Sequence, residues 1–138
     1  RVMEDTSIDL VLITARGLTD DGVVFERIEA LEGAGRTVVL IGDSPDLPDD
    51  VAAPACVESE KGQDDACAWS PTYLPDHRAL AKALDVPYID LLPVFCDGGT
   101  CHVVIGGLIT YFDNHHLTLS FSKSMSPYLA RELVSFAN

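Results

Sequence analysis

Three short apolar segments are spaced along the chain in a way that predicts buried β-strands. They are rich in β-branched residues and largely lack the polar alternation of a strand with one wet face. Their positions are 8–14 (IDLVLIT), 37–41 (TVVLI) and 88–92 (YIDLL). Such strands are expected in a parallel sheet that is covered by helices on both faces.

The segments around these strands have the periodicity of amphipathic helices. The first helix follows Asp20 and Asp21, which are N-cap candidates, and two glycines end it. A second helix is predicted over 76–84, and Ser-Pro at the start of 126–136 suits the beginning of a third. The order strand, helix, strand, helix, strand predicts an α/β domain with right-handed crossovers. The apolar positions expected to face the core are Val24, Ile28, Leu31, Leu80 and Leu84.

The pattern changes in two places. Residues 101–105 and 108–112 are extended runs joined by two glycines, which predicts a β-hairpin with a primed turn before the last helix. Residues 43–74 are rich in Pro, Asp and Ala and predict a long loop. There are no internal repeats and no visible boundary, so we expect a single domain over 1–138.

The net charge, the length of the apolar runs and the start of the sequence limit the classes of protein to which this chain can belong. A formal net charge of −13 argues against a nucleic-acid partner, because few cations are present to displace counterions from phosphates. No apolar run approaches the roughly 18 residues of a membrane-spanning helix. The sequence starts at Arg1 and has no signal peptide, so we expect a piece of a longer protein.

Four cysteines form two local pairs, Cys56 with Cys67 and Cys96 with Cys101. Three connectivities exist for four cysteines. The local connectivity is the most economical, and disulfides would indicate an oxidising compartment. Free buried thiols are the alternative, whereas a zinc site is disfavoured because no C-x-x-C spacing occurs.

The stretch with the clearest chemistry is 111–120 (YFDNHHLTLS), which follows the second arm of the hairpin. Asp113 precedes His116 by three residues, so its carboxylate can accept a hydrogen bond from one imidazole nitrogen and leave the other as a base. A plain Asx turn is the alternative interpretation. A metal site of Asp113, His115 and His116 is weaker still, because adjacent histidines rarely converge on one ion. We therefore predict neither a metal nor a cofactor.

The stretch from Ala81 to Ser120 resembles the C-terminal half of an SGNH-type (GDSL-like) domain. The matching features are a strand ending in Ile-Asp, a Cys-loop-Cys, a glycine-turn hairpin and then Tyr-x-Asp-x-x-His-Leu-Thr. The variety it resembles most is fused to membrane acyltransferases of the acyltransferase-3 group, which O-acetylate cell-surface polysaccharides. LVLITARG and GRTVVLIGDSP resemble that variety's middle strands. The resemblance implies a three-layer, flavodoxin-like parallel sheet that lacks its first strands in this sequence.

The resemblance also implies acyl transfer through a serine, with His116 as the base and Asp113 as its orienting carboxylate. Gly-Asp-Ser ends at Ser44, but this motif follows the second strand, whereas the family's serine follows the first. Strands are about 4.8 Å apart, so Ser44 would be roughly 10 Å from the family position. We expect the nucleophile upstream of Arg1, and this sequence alone to be inactive.

Other residues have less specific roles. Where the family has an oxyanion-binding Asn, this sequence reads TARG at 14–17, and Arg16 is a candidate for stabilising an anion or holding substrate. A solvated arginine is the alternative. His115 is expected to point away from the base, and His77 and His102 to be surface residues. Two aromatic residues that can anchor the loop or line a sugar groove are Trp69 and Tyr73.

Three functions remain open. The first is part of an extracytoplasmic O-acyltransferase that acts with a membrane acyltransferase module of the same parent protein, an acyl donor and a polysaccharide acceptor. The second is a stand-alone SGNH esterase that uses Ser44. The third is a non-catalytic remnant that binds glycan or a partner. If the first strands are absent, the edge at 8–14 is unpaired, which predicts that the chain associates with itself, swaps strands or packs against another chain.

Overall fold

A three-stranded parallel sheet is the centre of the first of two compact units. The computed structural model describes residues 4–5, 7–14, 22–60, 65–74 and 76–136. The sheet has the order β1 (Leu10–Ile13), β2 (Thr37–Ile41) and β3 (Tyr88–Ile89). Leu10 pairs with Thr37, and Ile41 pairs with Ile89. This confirms the predicted parallel α/β layout.

Helices α1 (Val23–Gly33) and α3 (Arg78–Leu84) belong to this unit. Gly22 is the N-cap of α1, and no side chain of the described residues caps it. Asp20 and Asp21, the predicted caps, lie outside the described residues. The predicted inward positions are confirmed. The buried core contains Ile28, Val38, Leu40, Ala81 and Val86, and the side chains packed against it include Val24, Leu31, Leu80 and Leu84.

The third strand is shorter than predicted. It ends at Ile89, and the short helix α4 (Leu92–Phe95) takes up the last residue of the predicted 88–92 segment. Pro93 accounts for the difference, because it cannot donate a ladder hydrogen bond but is well suited to the first turn of a helix.

Gly42, which follows β2, has a packing role. A Cβ built on this glycine would lie 2.6 Å from the hydroxyl oxygen of Tyr88. That oxygen accepts a hydrogen bond of 3.3 Å from the His77 amide. Burial raises the pKa of the Tyr88 hydroxyl, so it remains a neutral group against the glycine. The glycine of the Gly-Asp-Ser sequence is therefore required by its neighbour on β3, whatever Ser44 does.

The second unit comprises residues 44–74 and 92–130. The segment 43–74 is not a continuous loop, because α2 (Ala53–Ser59) lies within it, with Pro54 in its first turn. Two antiparallel hairpins follow α4. They are formed by β4 (Cys96–Asp97) with β5 (Thr100–Cys101), and by β6 (Val104–Ile105) with β7 (Leu108–Ile109). Whether the two units make one domain is not tested by this grouping, so the single domain stays a prediction.

The second hairpin confirms the predicted primed turn, since Gly106 and Gly107 both have positive φ, 58° and 77°. The predicted arms were too long, because Cys101 belongs to the first hairpin. After β7 the chain forms two short helices, α5 (Leu119–Ser124) and α6 (Ser126–Val134). The predicted last helix is α6, whereas α5 was not foreseen as a separate helix.

Aromatic side chains form the core of the second unit. Phe95 and Tyr111 are fully buried, and Phe121 is nearly so. The Phe95 ring centroid lies 5.6 Å from that of Phe121 and 6.1 Å from that of Tyr111. Because Tyr111 comes directly before the Asp-His stretch, this core fixes the point at which that stretch leaves the hairpin.

Candidate active site

Residues 112–116 form a closed five-residue loop. The amide of Phe112 donates a hydrogen bond of 2.7 Å to the carbonyl oxygen of His116. On either side, Tyr111 forms a bridge with Leu117, and the Thr118 amide donates to the Thr110 carbonyl at 2.8 Å. The Thr118 side chain also accepts from the Phe121 amide and so caps α5. The loop is thus held at both ends by backbone bonds.

Asp113 uses its two carboxylate oxygens for different tasks. Oδ1 accepts backbone hydrogen bonds from the amides of His115 (2.9 Å) and His116 (2.7 Å). Oδ2 lies 2.7 Å from Nδ1 of the His116 ring. The two amide bonds, with the ring contact after them, hold the pKa of Asp113 well below its usual range. The carboxylate is therefore ionised, and it can build the turn and orient the imidazole at the same time.

This geometry gives His116 the form of an oriented base. An ionised carboxylate only accepts hydrogen bonds, so in the neutral imidazole the proton is on Nδ1 and the lone pair is on Nε2. The side chain of His116 is 68% exposed. Nε2 is thus left to take a proton from a group outside the loop, as in a Ser-His-Asp triad. The structure brings Asp113 and His116 together, while their catalytic role stays a prediction.

His115 does not point away from His116, as the sequence had suggested. The two ring centroids are 4.0 Å apart, at an interplanar angle of 43°. Nδ1 of His115 lies 2.6 Å from Oδ1 of Asn114 and 3.8 Å from Oδ1 of Asp113. The turn around Asp113 brings the two adjacent rings to one side. Neighbouring histidines therefore do converge in this loop, contrary to the expectation from their spacing.

The segment after Ser44 is attached to the same loop. The Tyr111 hydroxyl donates to the Pro45 carbonyl at 2.7 Å, and the Leu47 amide donates to the Asn114 carbonyl at 2.8 Å. Asn114 also reaches Asp49 through Nδ2, at 3.4 Å from Oδ1. Sequence reasoning had not identified Asn114. Its only signal was its position inside the Asp-Asn-His-His stretch, next to the predicted dyad.

Of the two remaining candidates for the reaction, Ser44 lies within the described residues and Arg16 does not. Ser44 is half-buried in the second unit, the same unit as Asp113 and His116. Its role as nucleophile is not tested by these contacts and stays a prediction. Arg16, the candidate for binding an anion or substrate, lies outside the described residues.

Both predicted disulfides are present, Cys56–Cys67 and Cys96–Cys101. The second joins two directly paired residues of the first hairpin. All four cysteines are therefore oxidised, and the alternative of buried free thiols is wrong.

His102 is a partnered residue rather than a plain surface histidine. Its Nδ1 contacts Oδ2 of Asp65, and its Nε2 lies 3.4 Å from Oδ1 of Asp97. The hydrogen bond to Asp65, followed by the nearby Asp97, raises the pKa of His102. Asp65 is close in sequence to Cys67, and Asp97 follows Cys96. His102 thus connects the segments of the two disulfides.

The remaining candidates are structural or exposed. His77 is buried, with 4% of its surface exposed, so its prediction as a surface residue is wrong. Trp69 packs edge-on against Tyr111 and donates from its indole nitrogen to the Asp46 carbonyl at 3.1 Å, which matches a loop-anchoring role. Tyr73 is 70% exposed.

The fold and the loop together define a class of protein. A parallel α/β sheet, followed by a hairpin that delivers an Asp-x-x-His loop, is the arrangement expected of an SGNH-type domain. The family model described as "SGNH domain (fused to AT3 domains)" matches residues 2–131. The chain therefore belongs to the family of SGNH domains that are fused to AT3 domains.

The chain is similar in fold to a solved structure, the periplasmic domain of a lipopolysaccharide acetyltransferase of Salmonella ser. Paratyphi A. The TM-score is 0.62 at 16% sequence identity. The similarity covers 91% of this chain but 56% of that structure, so the chain spans little more than half of its neighbour's length. No curated protein matches the sequence. No helix among the described residues is long and apolar enough to cross a membrane.

Proposed function

We propose that this chain supplies the Asp113–His116 pair of an extracytoplasmic O-acyltransferase domain that transfers acetyl groups to cell-surface polysaccharide. The observation that carries the proposal is the 2.7 Å contact between Oδ2 of Asp113 and Nδ1 of His116. Membership of a family fused to AT3 domains supports acyl transfer as the reaction class. It also supports a membrane acyltransferase module as the partner within the parent protein.

In the proposed reaction, Nε2 of His116 takes the proton of a serine hydroxyl while the serine oxygen attacks the acyl carbonyl of the donor. The bond from the acyl carbon to the donor's leaving group then breaks, and His116 returns the proton to that group. An acceptor hydroxyl next gives its proton to His116 and attacks the acyl-enzyme. The bond from the acyl carbon to the serine oxygen then breaks, and His116 gives the proton back to that oxygen. Asp113 stays ionised throughout and stabilises the imidazolium that forms twice.

The extracytoplasmic location has two independent supports. Both disulfides close within the second unit, and disulfides persist mainly in oxidising compartments. The similar Salmonella structure is that of a periplasmic domain.

The test is acetyl transfer to polysaccharide by the parent protein, measured as acetate incorporated per unit time. His116→Ala is expected to lower the rate by about 100- to 10,000-fold, the usual contribution of a positioned base. Lys123→Ala, on the exposed side of α5, serves as the surface control and should leave the rate unchanged. Unchanged transfer in His116→Ala would overturn the proposal and favour the non-catalytic remnant that binds glycan or a partner.

A second candidate is a stand-alone esterase that uses Ser44. It is favoured by the attachment of the segment after Ser44 to the Asp-His loop, through Pro45, Leu47 and Asp49. Hydrolysis of p-nitrophenyl acetate by this chain alone, abolished by both Ser44→Ala and His116→Ala, would establish it. We expect no such hydrolysis above background, because we propose that the serine comes from elsewhere in the parent protein.

A further inference from the structure

We propose that the 112–116 loop is also a binding site for a zinc-class divalent cation, with Asp113, His115 and His116 as its ligands. Each of these residues offers one ligand atom, and the three atoms lie within 4.8 Å of one another. In a tetrahedral zinc site, bond lengths of 2.0–2.1 Å place neighbouring ligand atoms about 3.3 Å apart. Closing that difference requires rotations of the exposed His116 side chain and of the two half-buried side chains.

The ion would take the place of the proton that Asp113 and His116 share. Oδ2 of Asp113 and Nδ1 of His116 are 2.7 Å apart, so both atoms already face the same point. The ring of His115 is held separately, because its Nδ1 lies 2.6 Å from Oδ1 of Asn114. Histidines that bind metals usually donate their second ring nitrogen in this way, which fixes the ring and makes the free nitrogen a better ligand. Asn114 thus acts on the site through His115, and its own backbone is fixed by Leu47.

The chemistry of the three ligands determines which cation the site would prefer. Two imidazoles and one carboxylate suit Zn²⁺, whereas Mg²⁺ and Ca²⁺ prefer ligand sets of oxygens alone. Three protein ligands leave a fourth position for water or for a substrate group. A cation can reach the loop from solvent, because His116 is exposed and both Asp113 and His115 are only half-buried. The net charge of −13 raises the local concentration of cations around the whole surface.

Cation binding would have a regulatory effect, and this part rests on the proposed function. Zinc on Nδ1 of His116 would leave the ring proton of the neutral imidazole on Nε2, so Nε2 would have no lone pair with which to take a proton from serine. Zinc at this site would therefore remove the base and stop acyl transfer, and its release would restore transfer. An extracytoplasmic site would sense zinc outside the cell membrane.

The direct test measures binding to the chain itself, with Zn²⁺ and Co²⁺ salts as probes. We expect one Zn²⁺ per chain by isothermal titration, and a visible Co²⁺ spectrum of a four-coordinate site that Zn²⁺ bleaches. His115→Asn and His116→Gln should each weaken Zn²⁺ binding by tenfold or more, because losing a ligand costs at least as much as losing its supporting bond, about 10- to 100-fold. Wild-type affinity in both variants would overturn the site.

A control is needed for unspecific binding to an acidic surface. Asp50→Asn removes an exposed carboxylate from the same unit and should leave Zn²⁺ affinity unchanged. An equal loss in Asp50→Asn and His115→Asn would mean general charge attraction and would contradict the proposal. Mg²⁺ at the same concentration should not displace Co²⁺.

The regulatory part is tested in the parent protein as the ratio of transfer rates with and without Zn²⁺. This ratio should fall in the wild type and stay near one in His115→Asn. If Zn²⁺ binds as expected but His116→Ala leaves acyl transfer intact, the proposed function fails while the cation site stands. If His116→Ala abolishes transfer but Zn²⁺ neither binds nor inhibits, the cation site fails while the proposed function stands.

Discussion

Asp113 is the residue on which the candidate site depends, because it holds the backbone with one oxygen and the ring with the other. Its pKa is lowered by these bonds, so it stays ionised well below neutral pH. The negative charge beside the His116 ring is therefore present at neutral pH. Replacing Asp113 with an uncharged residue distinguishes its hydrogen bonds to the backbone from its contact with the His116 ring.

We expect Asp113→Asn to preserve the loop but not its proposed activity. The amide oxygen can still accept from the two backbone amides. The amide nitrogen, however, would face Nδ1 of His116 as a donor and favour the wrong tautomer. Transfer by the parent protein should fall by up to about 10,000-fold with little change in melting temperature. Asp113→Ala should lower both the transfer rate and the melting temperature, since it also removes the hydrogen bonds to the two backbone amides. Full transfer activity in Asp113→Asn would contradict the triad.

His102 should make stability depend on pH. Its raised pKa means that the folded state binds a proton more tightly than the unfolded state. This contribution is complete below the unfolded pKa of about 6.5, and it is lost as pH rises through the higher folded value. Among the described residues, the carboxylates that face the ring are those of Asp65 and Asp97. In thermal unfolding from pH 5 to 9, the melting temperature of the wild type should exceed that of His102→Gln by more at acidic pH than at alkaline pH. Parallel curves for the two proteins would contradict this.

At the scale of elements, Gly42 links the end of β2 to Tyr88 on β3. We expect Gly42→Ala to destabilise the protein by roughly 1–3 kcal/mol, because the new methyl group would overlap the half-buried Tyr88 hydroxyl. The measurement is urea denaturation with the free energy of unfolding extrapolated to water. Gly33→Ala is the matched control, since a Cβ built on this glycine of α1 would have nothing within 4 Å. That change should be neutral or stabilise by up to about 1 kcal/mol. Equal effects of the two would refute the packing role.

Elements with a strong local signal were predictable from the sequence. The apolar run 37–41 is the central strand, and its bounds are as predicted. The Gly106-Gly107 turn and both cysteine pairs were also recognised, since each depends on residues close in sequence. The Asp113–His116 contact belongs to the same group, because an i to i+3 hydrogen bond is encoded within one turn.

Contacts between distant segments were not predictable. The sequence predicts a surface position for His102, because its main partner, Asp65, is 37 positions away and no local pattern relates the two. The contact between Leu47 and Asn114 likewise joins residues that no periodicity relates. The sequence does not predict α5 as a separate helix, because it is only six residues long and its cap, Thr118, lies within the 111–120 stretch.

At the scale of the molecule, the exposed edge of the sheet predicts self-association. In the described part of the chain, β1 pairs with β2 alone, and Leu12 on β1 is 42% exposed. An apolar strand with free backbone groups is a template for another chain. We expect the purified chain to form dimers or larger species with rising concentration in sedimentation experiments. Leu12→Lys should shift it towards monomer, whereas Val134→Lys, at an exposed apolar position on α6, should not. A wild-type chain that stays monomeric at high concentration would contradict the prediction.

The closed loop at 112–116 has one more consequence. Its carboxylate and imidazole come from a single turn of five residues, tied by its own amide-to-carbonyl bond. A loop of this kind can form early in folding, because distant strands are not needed to bring the two groups together. It can also be moved into another protein as a unit. Evolution could therefore exchange the surroundings of the dyad, including the source of the attacking alcohol, without rebuilding the dyad itself.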